Sequence, residues 1–244
     1  MQEKNKKIFI TGGAGYAGSR YIPILLKNNY IVTAYDTFYF GDFLKNHKHL
    51  KKVRGDIRNT KLLEQSCKNH DVFIHLACMS NDTSFELDEK LSTEINYDCF
   101  ESMVQASKKS NIKRFIYAST SSVYGISDAK DIKEDHPFKP LTLYNKFKGL
   151  CEPILLNYSD ENFETVIFRP ATLCGYSPRQ RFDLSVNVLT AHAIVNNKIL
   201  VFGGSQLRPN LHILDYCKLL DLLISADSEK IQNKIFNVGY QNNT

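Results

Sequence analysis

Short apolar runs alternate with longer amphipathic stretches along this chain. The short runs are almost wholly apolar, as strands buried on both faces usually are. They lie at residues 8–10, 31–35, 71–75, 114–118 and 165–168. Apolar residues at helical spacing predict the intervening helices, over residues 16–27, 61–67, 91–109 and 143–158. Because strands and helices alternate, the pattern predicts an α/β fold, a doubly wound parallel sheet with helices on both faces.

A glycine-rich segment follows the first predicted strand and opens the first predicted helix. It reads Thr11-Gly12-Gly13-Ala14-Gly15-Tyr16-Ala17-Gly18 and contains both a G-x-G-x-x-G and a G-x-x-G-x-x-G spacing. Such glycines permit a tight turn, let the backbone approach a pyrophosphate and allow close helix–strand packing. The helix N-terminus adds N–H groups and a positive dipole end for phosphates. By itself the pattern also fits a plain strand–turn–helix connection.

Acidic residues after the next two strands support the ligand-binding interpretation. Asp36 ends the second predicted strand, about 20 residues after the glycines, where a dinucleotide-binding domain places the acid that holds the adenosine ribose. No arginine stands beside it in the sequence to receive a 2′-phosphate, which favours NAD over NADP. Asp56, in Gly55-Asp56-Ile57-Arg58, is a candidate acceptor for the adenine amino group or simply part of a turn.

A tyrosine and a lysine four residues apart supply candidate redox chemistry. Tyr144 and Lys148 share one face of a predicted helix. A free tyrosine, with a pKa near 10, is a poor base at neutral pH, but a neighbouring ammonium favours its phenolate. Tyr144 is then able to take a proton from a hydroxyl group. Thr120 follows the strand at 114–118, so it is expected at the carboxyl edge of the sheet, where ligands bind in such folds.

On these motifs the chain resembles the extended short-chain dehydrogenases/reductases, the NAD-dependent epimerase/dehydratase family of nucleotide-sugar enzymes. The matching motifs follow the family's order along nearly the whole chain. They are residues 11–18, Asp36, residues 55–58, His75-Leu76-Ala77, Asn96, residues 119–125, Tyr144 with Lys148, Arg169-Pro170 and residues 212–215.

The resemblance implies a Rossmann fold, NAD as cofactor and a role for each matching residue. Tyr144 is the implied acid/base, Lys148 binds the nicotinamide ribose and tunes Tyr144, and Thr120 bonds the reacting hydroxyl. The implied cofactor-binding residues are Gly12, Gly15, Tyr16, Ala17, Gly18, Asp36, Asp56, Ile57, Leu76, Ala77, Asn96, Ser119, Tyr144, Lys148 and Pro170. The candidate substrate-binding residues are Thr120, Ser121, Thr172, Arg179, Arg181 and Arg208, the arginines as pyrophosphate ligands or as solvated loop residues.

Departures from the family's pattern narrow the expected reaction. Dehydratases carry an Asp-Glu pair after the Thr120 position, whereas this chain has Ser121-Ser122, so no carboxylate is expected there for elimination. Thr172 stands where many relatives have an asparagine. The leading hypothesis is therefore an NAD-dependent epimerase acting on a nucleotide-linked sugar through a keto-sugar. The alternatives are a dehydrogenase or reductase of a nucleotide-activated hexose or heptose, and a non-catalytic NAD-binding protein.

The resemblance also predicts the organisation of the chain. An NAD-binding Rossmann domain is expected at residues 1–170, and residues 171–244 are expected to form a partial substrate-binding lobe with returning Rossmann elements. Family members usually continue well beyond Gly239, so this lobe is expected to be incomplete. The helices at 91–109 and 143–158 resemble those that pair in family dimers, so a homodimer is expected. The segment around residues 174–184 resembles proteins of surface-polysaccharide pathways.

The composition mainly excludes certain classes of protein and of binding site. The 244 residues are 43% hydrophobic and 23% charged, with a net charge of +5. A lysine-rich run at residues 45–52 has no interleaved aromatic residues on which bases could stack. A solvated helix or loop is therefore expected there, and nucleic-acid binding is not expected. Six scattered cysteines show no metal-binding spacing, and buried free thiols in a reducing cytoplasm explain them. No apolar run approaches the length of a membrane helix, and no signal peptide is apparent.

Overall fold

The computed structural model describes residues 6–80, 82–129, 131–204 and 207–240. Its strands are β1 Lys7–Thr11, β2 Ile31–Asp36, β3 Leu50–Arg54, β4 Val72–His75, β5 Arg114–Ala118, β6 Glu164–Pro170, β7 Thr172–Cys174, β8 Asn210–His212 and β9 Lys234–Val238. Seven of them form a parallel sheet in the order β3-β2-β1-β4-β5-β6-β9. The order reverses between β1 and β4, which creates the crevice in which doubly wound folds bind ligands. The predicted Rossmann fold is confirmed.

Helices cover both faces of this sheet. They are α1 Tyr16–Lys27, α2 Thr60–Cys67, α3 Asp82–Glu86, α4 Glu89–Thr93, α5 Phe100–Lys109, α6 Leu143–Leu156, α7 Ser185–Asn196, α8 Ile213–Ser225 and α9 Ser228–Ile231. A π-helical turn, Glu94–Asp98, joins α4 to α5, and a 3-10 turn, Ser121–Tyr124, follows β5.

The hydrophobic core has two layers because successive strand residues point to opposite faces. In β1, the fully buried Ile8 and Ile10 pack in the layer that contains α1 and α8. Phe9, between them, packs in the layer that contains α2, α5 and α6. Strands buried on both sides explain why their sequences are continuously apolar rather than alternating.

Two predicted elements differ from the structure. The helical stretch expected over residues 91–109 is present, but a π-helical turn divides it and aims the Asn96 side chain at the loop after β4. The solvated helix or loop expected over residues 45–52 is wrong in its last part, because Leu50, Lys51 and Lys52 lie in β3. In the described sheet β3 is an edge strand, where lysines are common because they discourage pairing with another chain.

Residues after 170 contribute to more than one part of the fold. β7 and β8 form a small parallel sheet, whereas β9 returns to the main sheet beside β6. Helix α8 packs on α1. The division into two domains at residue 170 stays a prediction, and residues 205, 206 and 241–244 lie outside the described part. Among the described residues, no helix has the length and apolar character needed to cross a membrane.

Candidate active site

Two glycines of the turn after β1 are required by the protein's own packing. Gly12 has a φ of +73°, and a Cβ there would lie 2.6 Å from the backbone nitrogen of Ala77. A Cβ on Gly18 would lie 2.5 Å from the carbonyl oxygen of Gly13. Side chains at these positions would separate β1 from β4 and from α1, so the glycines keep the turn tight.

Gly15 is less constrained by packing than Gly12 and Gly18, and its backbone conformation does not require glycine. Its φ of −73° and ψ of −173° suit any residue, and a Cβ there would meet only the carbonyl oxygen of Gly12, at 3.2 Å. No side chain caps the N-terminus of α1, which begins at the next residue. The space in front of this helix end therefore suits a phosphate group that approaches the backbone closely. The residues present fit the pyrophosphate of NAD.

Asp36 lies beside this turn with a fixed orientation. Its Oδ2 accepts a hydrogen bond from the backbone nitrogen of Ala14 at 2.9 Å, and its Oδ1 accepts one from Phe38 at 2.8 Å. At the end of β3, the Asp56 carboxylate pairs with Arg58 at 2.7 Å, and the hydrogen bond from Arg58 is the main reason its pKa is lowered. The neighbouring Ile57 is buried. Asp36 thus stands at the crevice, whereas Asp56 already has a cationic partner.

The loop after β4 is held by Asn96. Its side-chain oxygen accepts from the backbone nitrogen of Met79, and its side-chain nitrogen donates to the Met79 carbonyl, both at 2.9 Å. The predicted cofactor-binding residues Leu76 and Ala77 lie just before Met79, half-buried at the carboxyl edge of the sheet. Asn96 therefore positions this loop, with both ends of its amide bonded to the backbone.

Tyr16 is also engaged elsewhere through its side chain. The phenol donates to the carbonyl oxygen of Gly175 at 2.7 Å and accepts from Asn187 at 3.2 Å. Tyr16 and Ala17 therefore offer their backbone to the crevice, at the start of α1, while the Tyr16 ring ties α1 to the segment after β7.

Two residues after β5, Thr120 caps the N-terminus of the 3-10 turn. Its Oγ1 accepts a hydrogen bond from the backbone nitrogen of Ser122 at 3.2 Å, and the residue is only 8% exposed. A hydroxyl that accepts a bond in this way keeps its proton for donation to another group. Ser121, the first residue of the turn, is half-buried.

The 3-10 turn contacts α6, which carries Tyr144 in its first turn and Lys148 in the next. Tyr144 is half-buried. Lys148 is 4% exposed, and its ammonium donates to the carbonyl oxygen of Ala118 at 2.5 Å and lies 4.5 Å from the ring centroid of Tyr117. The structure thus brings Thr120, Tyr144 and Lys148 to the same edge of the sheet, at the end of β5.

A buried ion pair lies beneath these residues. Arg169 of β6 contacts Glu152 of α6 at 2.6 Å, with both side chains no more than 3% exposed. The Ser119 hydroxyl donates to the same carboxylate at 2.5 Å, and Arg169 also donates to the phenol of Tyr124. Ser119, predicted to bind the cofactor, therefore links the end of β5 to α6 and β6. This network fixes the elements that carry the site.

The three arginines proposed as substrate ligands have different surroundings. Arg181 bonds to Asp183 at 3.1 Å. Burial lowers the pKa of the Arg181 guanidinium. The hydrogen bond and the charge of Asp183 raise this pKa, and Cys78 and Tyr144 add smaller contributions, so that it lies above its usual value. Arg179 instead lies over the ring of Phe40, 3.9 Å from its centroid, and Arg208 is exposed. Of the three arginines, only Arg181 has an electrostatic interaction with Tyr144 in the described part of the chain.

Other predicted residues flank this edge. Thr172 begins β7, where its backbone nitrogen bonds to the carbonyl oxygen of Pro209 at 3.2 Å, and Pro170 ends β6. A cavity of about 230 Å³ adjoins Tyr144, lined by residues 141–143 and by Phe85, Glu86 and Glu89 of α3 and α4. The expectation that no carboxylate is placed for elimination after Thr120 stays a prediction, and two glutamates from other elements are among the residues that line this cavity.

The profile of the NAD dependent epimerase/dehydratase family matches residues 8–239. The chain belongs to this family. Among its relatives, the UDP-N-acetyl-alpha-D-glucosaminuronate decarboxylase of Bacillus cytotoxicus is 30% identical over 248 residues, which cover 96% of this chain and 75% of that protein. The dTDP-glucose 4,6-dehydratase of an Actinoplanes species is 27% identical over 249 residues, with 96% and 76% covered.

A solved structure of the family has the same fold. UDP-N-acetylglucosamine 4-epimerase from Methanobrevibacter ruminantium M1, in complex with UDP-N-acetylmuramic acid, is 26% identical and superposes with a TM-score of 0.85, covering 97% of this chain and 77% of that chain. As a family member the chain is an NAD-dependent enzyme. In the described part of the chain, no group of three or more His, Cys, Asp or Glu side chains is arranged to hold a metal ion.

Sequence reasoning missed several residues that this family member places at the site. Glu152 could have been found, because it lies one helical turn after Lys148 on the same face. Glu86 and Glu89 could not, because α3 and α4 are too short to show a helical period. Phe40 lies in a loop without periodicity. No arginine is next to Asp36 in the sequence. In the folded protein, however, the Asp36 charge interacts with Arg179 and acts to raise its pKa.

Proposed function

We propose that this enzyme epimerises a nucleotide-linked sugar through a keto-sugar intermediate. The observation that carries the proposal is the placement of Lys148 against the carbonyl oxygen of Ala118 at the end of β5, with Thr120 just after that strand and Tyr144 one helical turn before Lys148. The glycine turn after β1 fits a pyrophosphate. The first two residues after Thr120 are serines, which supply no carboxylate. Relatives named as epimerase, dehydratase and decarboxylase of nucleotide sugars support this class of substrate.

Each of the three residues has a distinct task in this reaction. Tyr144 takes the proton from the sugar hydroxyl as the C–H bond breaks, and returns it when the carbonyl is reduced. Thr120 donates a hydrogen bond to the same oxygen. Lys148, held by Ala118 and Tyr117, favours the Tyr144 phenolate by its charge. Bound NAD supplies the acceptor, and afterwards the donor, of the hydride.

We infer where the nucleotide binds from the positive charge of Arg181, which interacts with Tyr144. Arg181 is cationic, mostly buried and coupled to Tyr144, so it is our candidate for the diphosphate of the substrate. Thr120 and Ser121 follow β5, and Thr172 lies at the start of β7, so these residues are our further candidates for contact with the substrate. Arg208, which is exposed, is left as a candidate contact to the nucleotide at the rim.

A dehydratase is the second candidate, favoured by Glu86 and Glu89 at the cavity beside Tyr144. Elimination of water needs a base that takes the proton from carbon and an acid that protonates the leaving hydroxyl, and two carboxyl groups are able to supply them. A net dehydrogenase or reductase uses the same three residues and differs in exchanging its cofactor at every turnover, with release of NADH by a dehydrogenase and of NAD by a reductase.

Incubation with UDP- and dTDP-hexoses separates these reactions. An epimerase gives a mixture of two epimers by NMR with no net NADH. A dehydratase gives a product lighter by one water in the mass spectrum, and a dehydrogenase gives NADH in proportion to product. We expect epimers. Binding of NAD without conversion of any such sugar would contradict an enzymatic role for the site.

We also propose a homodimer that pairs through α6. Leu143, Phe147, Leu150 and Ile154 recur at helical spacing along this helix, and Leu143 and Leu150 are 38% and 39% exposed. Leu150→Glu should convert a dimer into a monomer in analytical ultracentrifugation. A monomeric parent protein at micromolar concentration would contradict the proposal.

The six free cysteines suit a reducing cytoplasm, which we propose as the location.

A further inference from the structure

Two loops meet near the start of α1, beside the glycine turn. One follows β2 and carries Phe40, whose side chain is 63% exposed. The other follows β7 and carries Arg179, whose guanidinium carbon lies 3.9 Å from the centroid of the Phe40 ring. A planar guanidinium at this distance from an aromatic face makes a cation–π contact. The contact joins segments that are far apart in the sequence.

Each loop is anchored to an element of the cofactor crevice. The Phe40 loop begins at Asp36, whose Oδ1 accepts from the backbone of Phe38 at 2.8 Å. The Arg179 loop rests on the first turns of α1. Its Ser177 hydroxyl donates to the carbonyl oxygen of Tyr16 at 2.6 Å, and the backbone nitrogen of Arg179 donates to the Ser19 hydroxyl at 3.2 Å.

The charge of Arg179 is not neutralised by a close acid. In the described part of the chain it forms no salt bridge, whereas its neighbour Arg181 is paired with Asp183. Burial is the main reason the pKa of Arg179 is lowered, and repulsion by Arg181 adds to it, while Asp183 and Asp36 act in the opposite direction. A half-buried arginine above the N-terminal turns of α1 is suited to an anion that binds at that helix end.

We propose that Arg179 and Phe40 form a clasp over the NAD crevice. The Arg179 guanidinium pairs with the cofactor's pyrophosphate, and its stack on Phe40 has to open before NAD enters or leaves. Arg179 is therefore a cofactor ligand rather than a substrate ligand. This inference rests on the cofactor site proposed above, and it is independent of the sugar reaction. A closed clasp keeps NAD on the protein through successive turnovers.

The rate of NADH release tests the clasp. The chain contains no tryptophan, so the fluorescence of bound NADH is followed directly after mixing with excess NAD. Phe40→Ala removes the stack and should speed release about two- to fivefold, the range for an exposed cation–π contact. Arg179→Ala also removes the phosphate contact and should speed release about tenfold or more. Phe43→Ala, in the same loop, is the control and should leave the rate unchanged.

A double variant separates a clasp from two independent contacts. If Phe40 acts only through Arg179, then Phe40→Ala combined with Arg179→Ala should release NADH no faster than Arg179→Ala alone. Rates that multiply would overturn the clasp. So would unchanged NADH release in Arg179→Ala together with weaker binding of UDP or dTDP, which would make Arg179 a substrate ligand. Failure of the parent protein to bind NADH would overturn both the clasp and the cofactor site.

Discussion

Lys148 carries a positive charge at a position that is almost fully buried. Burying an ammonium is unfavourable unless other groups compensate for the lost water. Here the compensation comes from the carbonyl oxygen of Ala118 at 2.5 Å and from the face of the Tyr117 ring. The charge also contributes to lowering the pKa of His75, after burial itself. The arrangement holds a fixed positive charge one helical turn from Tyr144, which a base made from a phenol requires.

Replacing Tyr144 separates chemistry from folding. Tyr144→Phe keeps the ring and deletes one hydroxyl, so the free energy of unfolding should change by no more than about 1.5 kcal/mol. The hydride-transfer step should slow by about 10²–10⁴-fold, because a positioned general acid/base is lost. Single-turnover absorbance of the reduced cofactor measures that step.

Tyr158→Phe is the matched control for this substitution. Tyr158 lies just beyond the other end of α6, where its hydroxyl donates to Glu101 at 2.8 Å. It should leave the hydride-transfer rate unchanged. Equal rates in Tyr144→Phe and the parent would remove Tyr144 from the proposed mechanism.

Single residues of the site were predictable where the signal is local. Tyr144 and Lys148 are recognised by their spacing on one helix, and Thr120 by its place after a strand. Phe40 and Arg179 are not, because their contact depends on how two loops fold back onto α1 and β2. No property of either loop alone shows that the other will meet it.

The strand–turn–helix unit formed by β1 and α1 shows why one glycine motif contains glycines of two kinds. Gly12 and Gly18 leave no room for a Cβ within the protein. Gly15 leaves room that the protein itself does not fill. The sequence pattern predicts all three glycines, but only the structure distinguishes the two that the protein's own packing requires from Gly15, which packing constrains less.

The two kinds of glycine should respond differently to substitution. Gly15→Ala should change the free energy of unfolding by no more than about 1 kcal/mol, because its backbone conformation suits alanine. It should still weaken NAD binding at least about tenfold, because the methyl group occupies space that suits the pyrophosphate. Gly18→Ala should cost about 1–3 kcal/mol of stability as well, because its Cβ would lie 2.5 Å from the Gly13 oxygen.

Urea denaturation and NAD calorimetry on both variants check this contrast. Strong destabilisation by Gly15→Ala, or undiminished NAD affinity in that variant, would contradict the pyrophosphate assignment.

The break between α4 and α5 shows the limit of periodicity at the scale of an element. Apolar spacing over residues 91–109 predicts one helix, and most of the segment is indeed helical. The π-helical turn depends on a tertiary contact, the pair of hydrogen bonds between Asn96 and the backbone of Met79. π-helical turns are frequent at functional sites for this reason, since they redirect one side chain without ending the helix.

Across the whole molecule, one buried ion pair joins the elements that carry the site. Glu152 of α6 and Arg169 of β6 bind each other, and Ser119 and Tyr124 bind the pair from either side. Glu152→Gln should cost about 3–5 kcal/mol, because it leaves the Arg169 charge buried and unpaired. Urea denaturation measures this. Asp227→Asn, at the exposed pair with Lys230, is the control and should leave stability almost unchanged.

Much of this whole-molecule arrangement was predictable, because continuously apolar strands and amphipathic helices in alternation lead to a doubly wound sheet. The ion pair was not, because Glu152 and Arg169 stand on different elements that only the folded sheet brings together. A stable Glu152→Gln variant would mean that the site is positioned by apolar packing alone.

The stability of the whole protein should depend on pH through His75. This residue is 4% exposed, its Nδ1 lies 2.7 Å from the Thr11 hydroxyl and its ring stacks on Tyr117. Burial, and then the charge of Lys148, hold the pKa of His75 well below its ordinary value. The unfolded chain takes up a proton at His75 near pH 6.5, whereas the native protein does not. Stability is therefore complete above about pH 6.5 and falls as the pH decreases toward the folded-state pKa.

Each such histidine contributes a slope of up to about 1.4 kcal/mol per pH unit. Burial also lowers the pKa of His70, so its effect has the same sign. Asp221 acts in the opposite direction, because burial raises its pKa. His75→Gln removes only the His75 contribution, so the difference in slope between it and the parent isolates that residue. Urea denaturation from about pH 7.5 to about pH 5 should show a flatter dependence in His75→Gln. An equal slope in His75→Gln and the parent would mean that His75 takes up its proton alike in the native and the unfolded protein.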